Sequence, residues 1–377
     1  MAAVVPRRKS SMPSQSSQVL TKTDDFSRYS AVTLRGFLTD ALLACGLPEA
    51  DAAIAAGAML EADLTGCDAH GVFRLAGYVR QLKRGAFNPR AKITVVERGP
   101  ATALIDGDQG MGHVVMTYAA NLAVELARAS GIGWVGARRS NHAGAGAIYA
   151  ALPLAHGMVG IYGAASSVNH MAPWGGSEPL LGTNPIAVAI PAGEEAPVVL
   201  DIATSLASNG AIRTHELEGK AMPEGWVQSR KDGSAITDAR RISEGTYLPM
   251  GGYKGFGLSL IIGLLAGPLN GAAFGRDIAD FAAPPGGELN VGQFMIALDV
   301  ARFVPLNAFR AEVDRHIREL AASQRLPGVD DIRVPGQGRV ARRKEKEQNG
   351  VPLSATLVAQ VDEVAKSLGI TPLSARE

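Results

Sequence analysis

The sequence has few cysteines, few aromatic residues and almost no net charge. Only Cys45 and Cys67 are present among 377 residues, so the chain cannot form a disulfide framework, and their different contexts do not suggest a metal-binding knuckle. Lysine and arginine together number 37, aspartate and glutamate 36, and the formal charge is +1. This balance gives no global attraction to nucleic acid or to an anionic membrane, and we expect neither as a partner.

Apolar runs long enough to cross a membrane are also missing. The best candidate, residues 257–269, is shorter than the roughly 18 residues required and is interrupted by Ser259 and Pro268, so it predicts a buried helix. Residues 1–28 are rich in basic residues and serine but lack the apolar core of a secretory signal. This composition favours a disordered basic extension over a transit peptide, and we expect a cytoplasmic protein.

Glycine, by contrast, is abundant. It accounts for 44 of 377 residues, about 12% against a usual ~7%. The glycines follow no collagen repeat, so we expect them at turns and at close approaches of the backbone to phosphates or flat ligands. The apolar content of 46% and the charged content of 19% are typical of a globular chain with a substantial core.

Helical and strand patterns alternate along the chain and predict the α/β class. Helices are predicted at 32–43, 48–64, 72–84, 118–129, from about 255, and at 306–322 and 353–368. Strands are predicted at 91–98, 102–106, 132–137, 159–163, 186–190, 198–201 and 293–299. The polar residues 216–246 predict a surface excursion, and the basic residues 339–346 predict a solvated segment.

Two glycine runs resemble the fingerprint of a Rossmann dinucleotide site, and neither fits it. Residues 131–136 read G-I-G-W-V-G, but a helix precedes them and a strand follows, so Gly131 is predicted to end a helix. Residues 110–115 read G-M-G-H-V-V between a strand and a helix, yet Val115 is too bulky for the third position. The next strand runs into two arginines instead of an acidic residue, so we predict no ordinary Rossmann site.

Two histidine motifs are candidates for chemistry. His70, Arg74 and Tyr78 are spaced four apart, which on a helix would place an acid–base group, a carboxylate-binding group and a phenol on one face. Such a face suits a small 2-oxo or 2-hydroxy acid, although a capping histidine and a surface arginine would give the same spacing. His142 directly follows a buried-type strand, where it either carries reactivity or bonds the loop backbone.

Two other segments are candidates for holding phosphate or ribose. Residues 201–205 end a strand with short oxygen-bearing side chains, which could bind a ribose or cap the next helix. Lys254 lies in a glycine run at a helix start, where free amides and an ammonium group favour an anion. The run does not match the Walker A pattern.

Taken together and in this order, the motifs resemble the type-2 malate/L-lactate dehydrogenase family. That family includes ureidoglycolate and sulfolactate dehydrogenases, diketogulonate reductase and cyclic-imine reductases. The motifs are A-D-L-T-G-C-D-A-H-G-V at 62–72, G-A-F-N-P at 85–89, S-N-H at 140–142, A-P-W-G-G at 172–176, G-T-N-P at 182–185, L-D-I-A-T-S at 200–205, G-G-Y-K-G-F-G-L at 251–258 and N-V-G-Q-F at 290–294.

The resemblance implies a non-Rossmann α/β fold with a central mixed sheet and helical segments at both ends of the chain. It implies an N-terminal helical segment at 29–105 that carries the His/Arg motif, and an NAD(P)-binding α/β domain at 106–310. A C-terminal helical segment at 311–377 is expected to pack on the N-terminal part. The family also implies a homodimer with its active site near the subunit contact.

The resemblance also assigns roles to site residues. It implies that His70 and His142 transfer protons, that Arg74 holds the substrate carboxylate and that Tyr78 lines the same pocket. Its cofactor contacts match Asp201, Ile202, Ala203, Thr204, Ser205, Lys254, Gly255, Pro335, Gly336 and Gln337. The expected reaction is hydride transfer between NAD(P)H and a small 2-oxo or 2-hydroxy acid, with His142 as the acid/base and His70 as the polarising group. NAD is favoured over NADP, and no metal is expected.

Two departures from the family pattern bear on activity. Ala69 stands where the family usually has serine, which removes a hydroxyl that could contact nicotinamide or substrate. Gln337 stands where a glutamate is usual, and a neutral amide repels an adenosine 2′-phosphate less than a carboxylate does. The first predicts weakened or altered activity, and the second predicts tolerance of NADPH.

Three other interpretations are open at this point. The first is a cyclic-imine reductase of the same family. The second is a catalytically weakened, NAD(P)-binding protein, which would follow from Ala69. The third is a metal-dependent hydrolase built on His70, His142 and Asp201, whose spacings match no recognised zinc signature.

Overall fold

The computed structural model describes residues 26–279 and 289–376, so residues 1–25 of the predicted extension lie outside it. Eleven strands are described: β1 Phe26–Tyr29, β2 Thr94–Arg98, β3 Thr102–Asp106, β4 Ile132–Ser140, β5 Met158–Ala164, β6 Ile186–Ile190, β7 Val198–Ile202, β8 Val227–Ser229, β9 Gly245–Tyr247, β10 Val291–Asp299 and β11 Val351–Ser354. Ten α-helices accompany them: α1 Ala31–Ala44, α2 Glu49–Thr65, α3 Leu75–Lys83, α4 Gly112–Ser130, α5 Gly146–Ala151, α6 Asn209–Glu218, α7 Tyr253–Ala266, α8 Leu306–Ala321, α9 Gln337–Asn349 and α10 Ala355–Leu368.

A seven-stranded sheet in the order β2-β3-β4-β10-β5-β6-β7 forms the centre of the molecule. Only β3 and β4 run parallel, joined by the crossover helix α4, and the other neighbours are antiparallel. The predicted α/β class with a central mixed sheet is therefore confirmed. A doubly wound parallel sheet is not formed, so the Rossmann phosphate site has no counterpart.

The glycine runs at either end of α4 have structural roles. Gly131 ends α4 in the left-handed region at φ 87°, as predicted, and β4 follows it. Helix α4 begins at Gly112, six residues before the predicted start. A Cβ on Gly112 would lie 2.1 Å from the carbonyl oxygen of Asn141, so glycine is needed for the helix start to approach the loop after β4.

The two ends of the chain pack together beside the sheet. Strand β1 pairs with β11, α9 packs on α2, and α10 packs on α3 and α1. The N-terminal helix α1 starts at Ser30, whose hydroxyl accepts a hydrogen bond from the Thr33 amide 3.0 Å away. Residues 26–28 belong to β1, so the predicted extension overlaps ordered structure. The central sheet begins with β2, which precedes the predicted domain boundary at 106. Helix α8 spans the predicted domain boundary at 310.

The polar segment 216–246 lies mostly at the surface, as predicted, but it also has structure of its own. Together with its neighbours it forms a small lobe with its own core. Strands β8 and β9 pair within it, and Val227, Ile236 and Tyr247 are buried. Its apolar residues are few and unevenly spaced, so the segment has no periodicity that a sequence pattern could report.

Two predictions about exposure are corrected in part. Residues 339–346 lie within α9, where 340–344 are exposed as predicted. Lys346 is buried, and its ammonium group donates to the Asp63 carbonyl at 2.7 Å and to Asp68 Oδ1 at 2.8 Å. Helix α7, predicted as buried, has one exposed apolar face in the single chain, which includes Leu258 and Ile261. In the described part of the chain, no helix combines the length and apolarity needed to span a bilayer.

Candidate active site

The loop between α2 and α3 carries two of the predicted site residues. Short 3₁₀ turns at Asp68–His70 and Val72–Arg74 precede α3, so the predicted helix over 72–84 begins only at Leu75. The two turns are held by the buried carboxyl group of Asp63, whose Oδ2 accepts a hydrogen bond from the Val72 amide at 2.8 Å. This carboxyl group fills the space where a Cβ on Gly71 would stand. Burial raises the pKa of Asp63 to about 8.

Arg74 is fixed at the end of this loop. Its Nε donates to the carbonyl oxygen of Ala69 at 2.9 Å, so the guanidinium lies against the 3₁₀ turn that contains His70. The methyl group of Ala69 itself faces the first turn of α6, since a Cβ on Gly210 would lie 2.4 Å from it. The His70–Arg74 loop is therefore closed on one side by α6.

The loop after β4 brings His142 to the same place. The Tyr78 hydroxyl lies 2.7 Å from His142 Nδ1, and the His70 and His142 rings are stacked with centroids 5.5 Å apart. Tyr78 comes from α3 and is buried. The four residues that the sequence assigned to proton transfer and substrate binding thus come from three elements and form one cluster.

Hydrogen bonds to the backbone fix the His142 loop. Asn141 Nδ2 donates to the carbonyl oxygens of Gln109 at 2.8 Å and Gly110 at 2.9 Å. Ser140 donates to Gln293 Oε1 at 2.8 Å, and Gln293 Nε2 donates in turn to the Asn141 carbonyl at 3.1 Å. His142 therefore extends from a rigid loop between the sheet and α4.

The histidines of the cluster are neutral at neutral pH. Burial, and then the charge of Arg74, lowers the pKa of His70 from 6.5 to about 4. Burial lowers the pKa of His142 well below 6.5, and the charges of Arg74 and His70 act in the same direction. Burial raises the pKa of the Tyr78 phenol, so it remains protonated. Each neutral imidazole has one nitrogen able to accept a proton.

A third histidine, which our sequence analysis missed, lies behind this cluster. His113 in α4 is fully buried, and its ring stands edge-on to Tyr78 at a centroid distance of 5.1 Å and an interplanar angle of 90°. It follows Gly112 in the glycine run at 110–115, which we considered only as a dinucleotide fingerprint. Because the helix was predicted to begin only at 118, His113 fell in the preceding loop, and the sequence pattern gave no signal for it.

The predicted cofactor segment 201–205 extends from the end of β7 toward the His142 loop. The Asp201 carboxylate accepts a hydrogen bond from the Ala147 amide of α5 at 2.8 Å, four residues after Ala143. Thr204 Oγ1 donates to the Thr183 carbonyl at 2.9 Å, and Ser205 Oγ donates to the Ala207 carbonyl at 2.6 Å. The two hydroxyls thus fix the backbone of this segment.

The other two predicted cofactor segments lie on either side of it. A Cβ on Gly255 would lie 2.2 Å from the Met250 carbonyl oxygen and 2.9 Å from that of Thr204, which places the start of α7 against 201–205. On the far side, the Pro335 carbonyl accepts from the Val199 amide at 3.0 Å, and Gly336 turns at φ 102°. The structure therefore brings all three segments together around β7.

A metal centre has no support in the described residues, where no group of three or more histidine, cysteine or acidic side chains could hold an ion. Asp201, which the hydrolase interpretation required, is engaged by α5 as described above. The geometry instead provides a buried imidazole pair, a cation beside it and a neighbouring strand bounded by glycine turns. Features of this kind are what an α/β enzyme needs to move protons next to a bound organic cofactor.

Comparison with known proteins identifies the family. Residues 29–362 match the family model described as malate/L-lactate dehydrogenase, and the chain belongs to this family. It is an enzyme of the NAD(P)-dependent 2-hydroxy-acid dehydrogenase class. A malate dehydrogenase of Pyrococcus horikoshii is 35% identical over 358 residues, which cover 93% of this chain and 98% of the relative. An L-sulfolactate dehydrogenase of Methanothermobacter thermautotrophicus is 36% identical over 334 residues, which cover 88% and 95%.

Solved structures agree with this assignment. A malate dehydrogenase from Entamoeba histolytica superposes with a TM-score of 0.88 at 29% identity, covering 92% of this chain and 99% of that one. A Δ1-piperideine-2-carboxylate reductase from Pseudomonas syringae superposes with a TM-score of 0.79 at 27% identity, covering 90% and 100%. The fold that the sequence motifs implied is therefore the fold of this chain.

Proposed function

We propose that this enzyme transfers hydride reversibly between NAD(P)H and a small 2-oxo acid of the malate or lactate type, giving the 2-hydroxy acid. The observation that carries the proposal is the 2.7 Å contact between the Tyr78 hydroxyl and His142 Nδ1, in a buried cluster that also contains His70 and adjoins Arg74. An imidazole held through one nitrogen and free at the other is suited to exchange a proton with a substrate hydroxyl.

Each side chain of the cluster has a distinct role in this proposal. The guanidinium of Arg74 pairs with the substrate carboxylate. During oxidation, His142 Nε2 takes the hydroxyl proton, and during reduction it returns that proton to the oxygen. His70 Nδ1 is buried and has no hydrogen-bond partner in the described structure, so it is available to donate to the substrate oxygen and polarise the carbonyl.

The three segments around β7 are proposed to hold the cofactor. They are Asp201–Ser205, Lys254 with Gly255, and Pro335–Gln337, and the glycines at 255 and 336 leave no room for a side chain where backbone segments meet. When bound, the nicotinamide ring supplies or accepts the hydride. Lys254 is exposed at the start of α7, where its ammonium and the helix amides favour a phosphate. NAD is favoured, and the neutral Gln337 supports tolerance of NADP.

A cyclic imine is the second candidate substrate. The solved piperideine-2-carboxylate reductase shares the fold, and the substrate in its name has a carboxylate beside a reducible carbon–nitrogen bond. Arg74 and the histidine pair would serve either substrate. A third outcome is a weakened enzyme, because Ala69 supplies no hydroxyl to the site and its methyl group faces α6.

Nicotinamide absorbance against a panel of 2-oxo acids and cyclic imines, with NADH and NADPH in parallel, tests the proposal. We expect turnover of at least one 2-oxo acid. Relative to the native chain, His142→Ala and His70→Ala should each lower the rate by about 10²–10⁴. The matched control is His156→Ala, which removes an exposed histidine outside the cluster. If NADH binds but no panel member reacts, the dehydrogenase assignment fails for this chain and the weakened, cofactor-binding alternative replaces it.

We also propose a homodimer that covers the exposed face of α7. Tyr253, Leu258, Ile261 and Leu264 fall along one side of this helix and are between 39% and 63% exposed in the single chain. A continuous apolar face of this kind on a helix adjoining the cofactor segments is typical of a subunit contact.

The predicted cytoplasmic location is a separate proposal, which fractionation of cells that express the full chain would test.

A further inference from the structure

His113 is buried in a way that packing alone does not explain. Its side chain is fully buried, and neither Nδ1 nor Nε2 has a hydrogen-bond partner within the described structure. A neutral imidazole carries one donor and one acceptor, and leaving a buried polar group unpaired costs roughly 1–3 kcal/mol. An aliphatic side chain of similar size would fill the same space without that cost.

The backbone of His113 is held in a fixed relation to His142. A Cβ on the preceding Gly112 would overlap the Asn141 carbonyl oxygen at 2.1 Å, so the first turn of α4 lies directly against the His142 loop. Asn141 ties that loop to the residues directly before this turn through its bonds to the Gln109 and Gly110 carbonyls. A shift of the His113 ring is therefore transmitted to the loop at short range.

The His113 ring contacts both groups that approach His142 Nδ1. One is Tyr78, whose ring meets His113 edge-on at 5.1 Å and whose hydroxyl lies 2.7 Å from Nδ1. The other is Gly144, whose amide nitrogen lies 3.4 Å from Nδ1. His113 Nε2 lies 3.0 Å from the position that a Cβ on Gly144 would occupy. His113 thus limits the movement of both groups.

We propose that His113 is a positioning residue that keeps the Tyr78 hydroxyl in place as the acceptor for His142 Nδ1–H and thereby fixes the tautomer of His142. The inference rests on the proposed acid–base role of His142. Burial, and then the charge of His70, lowers the pKa of His113 to about 3, so its ring acts as a neutral polar support. With the ring proton on Nδ1, Nε2 is the nitrogen of His142 that can take a proton from the substrate.

The test compares His113→Leu, which keeps the bulk and removes the polar atoms, with the conservative His113→Gln. Met116→Leu, a fully buried change one turn further along α4, is the matched control. We expect His113→Leu to lower kcat by at least about tenfold with the substrate KM within threefold, because Arg74 is untouched. His113→Gln, which keeps a donor and an acceptor, should recover most of the rate.

A second measurement keeps this inference separate from the proposed function. The ¹⁵N chemical shifts of the histidine rings report the tautomer of His142 whether or not any substrate is turned over. We expect His113→Leu to mix the two tautomers of His142, and Met116→Leu to leave them as in the native chain. Unchanged His142 signals in folded His113→Leu would overturn the positioning role. If this variant fails to fold, unchanged His142 signals in His113→Asn would do the same.

A double-mutant comparison identifies the path of the effect. If His113 acts mainly through the Tyr78 hydroxyl, replacing His113 should change kcat little in a variant that lacks this hydroxyl. We expect His113→Leu to lower kcat by less than threefold in a Tyr78→Phe background. The same factor in both backgrounds would show that His113 acts independently of Tyr78 and would overturn that part of the inference.

Discussion

If Arg74 binds the substrate carboxylate as proposed, the protonation of single residues in the cluster depends on a charge that the substrate carries. Arg74 is a cause of the lowered pKa values of both His70 and His142, after burial. A substrate carboxylate paired with this guanidinium cancels its charge within the site. The pKa of both histidines then rises when substrate binds, which prepares one of them to hold a proton only in the complex.

The pH dependence of hydroxy-acid oxidation tests this coupling. The base must be neutral, so the rate falls as the pH drops through its pKa. The profile of kcat/KM reports the form that binds the substrate, and the profile of kcat reports the complex. With the cofactor saturating, we expect the acidic limb of kcat to lie about one pH unit above that of kcat/KM.

Arg74→Gln provides the control for this prediction. The substitution removes the charge and keeps a polar side chain. The acidic limb of the kcat/KM profile should therefore move to higher pH, toward the acidic limb of the kcat profile. Coincident limbs in the native enzyme, or a kcat limb at lower pH, would contradict the coupling between Arg74 and the histidines.

At the scale of elements, α9 joins the proposed cofactor strand to the proposed substrate loop. Its leading turn pairs with β7 through the Pro335 carbonyl and the Val199 amide. Further along the helix, Arg339 donates to Thr65 Oγ1 at 3.0 Å, and Lys346 donates to Asp68 at 2.8 Å. These contacts reach the end of α2 directly before the His70–Arg74 loop, so a displaced α9 disturbs both parts of the site.

Gly336→Ala should displace that turn. The residue adopts φ 102°, and an added Cβ would lie 2.8 Å from both the Pro197 carbonyl oxygen and the Val199 amide nitrogen. Because neither backbone atom can rotate away, the turn must leave β7. We expect NADH affinity, measured by fluorescence titration, to fall at least about tenfold, which is about 1.4 kcal/mol.

Gly328→Ala is the matched control for this change. Gly328 also has a positive φ of 81°, but no atom lies within 4 Å of its ideal Cβ position. Its replacement carries the conformational cost of a left-handed residue, about 1–2 kcal/mol, without the clash. Equal loss of NADH affinity in the two variants would show that the contact of Gly336 with β7 has no part in cofactor binding.

The elements show which parts of the structure a sequence pattern can predict. Strand β6 has the predicted bounds, Ile186–Ile190, because it is a short apolar run between turn residues. The helix predicted over 72–84 begins late because the Asp63 side chain binds the Val72 amide from outside the segment. The same limit applies to the site. The ordered motifs identify His70 and His142, whereas His113 joins them only through the approach of α4 to the loop after β4.

At the scale of the whole molecule, the two ends of the chain pack together on one side of the sheet, and α7 lies on another side. The exposed face of α7 contains no charged residue except Lys254 and continues directly from the proposed phosphate contact. A stable dimer buries about 800 Å² on each partner. If this face is the subunit contact, the cofactor segment at the start of α7 is completed only in the assembly.

Ile261→Asp tests the dimer. Ile261 is 56% exposed at the centre of the face, so the substitution would be tolerated in a monomer. In a buried contact, an unpaired carboxylate costs roughly 3 kcal/mol or more, which raises the dimer Kd at least about 100-fold. We expect the native chain to sediment at twice its 39.2 kDa mass and Ile261→Asp to sediment as a monomer with reduced turnover. Leu326→Asp, at a 75% exposed position between α8 and α9, should remain dimeric and active. A native chain that sediments at 39.2 kDa, or an Ile261→Asp dimer of native stability, would exclude α7 as the subunit contact.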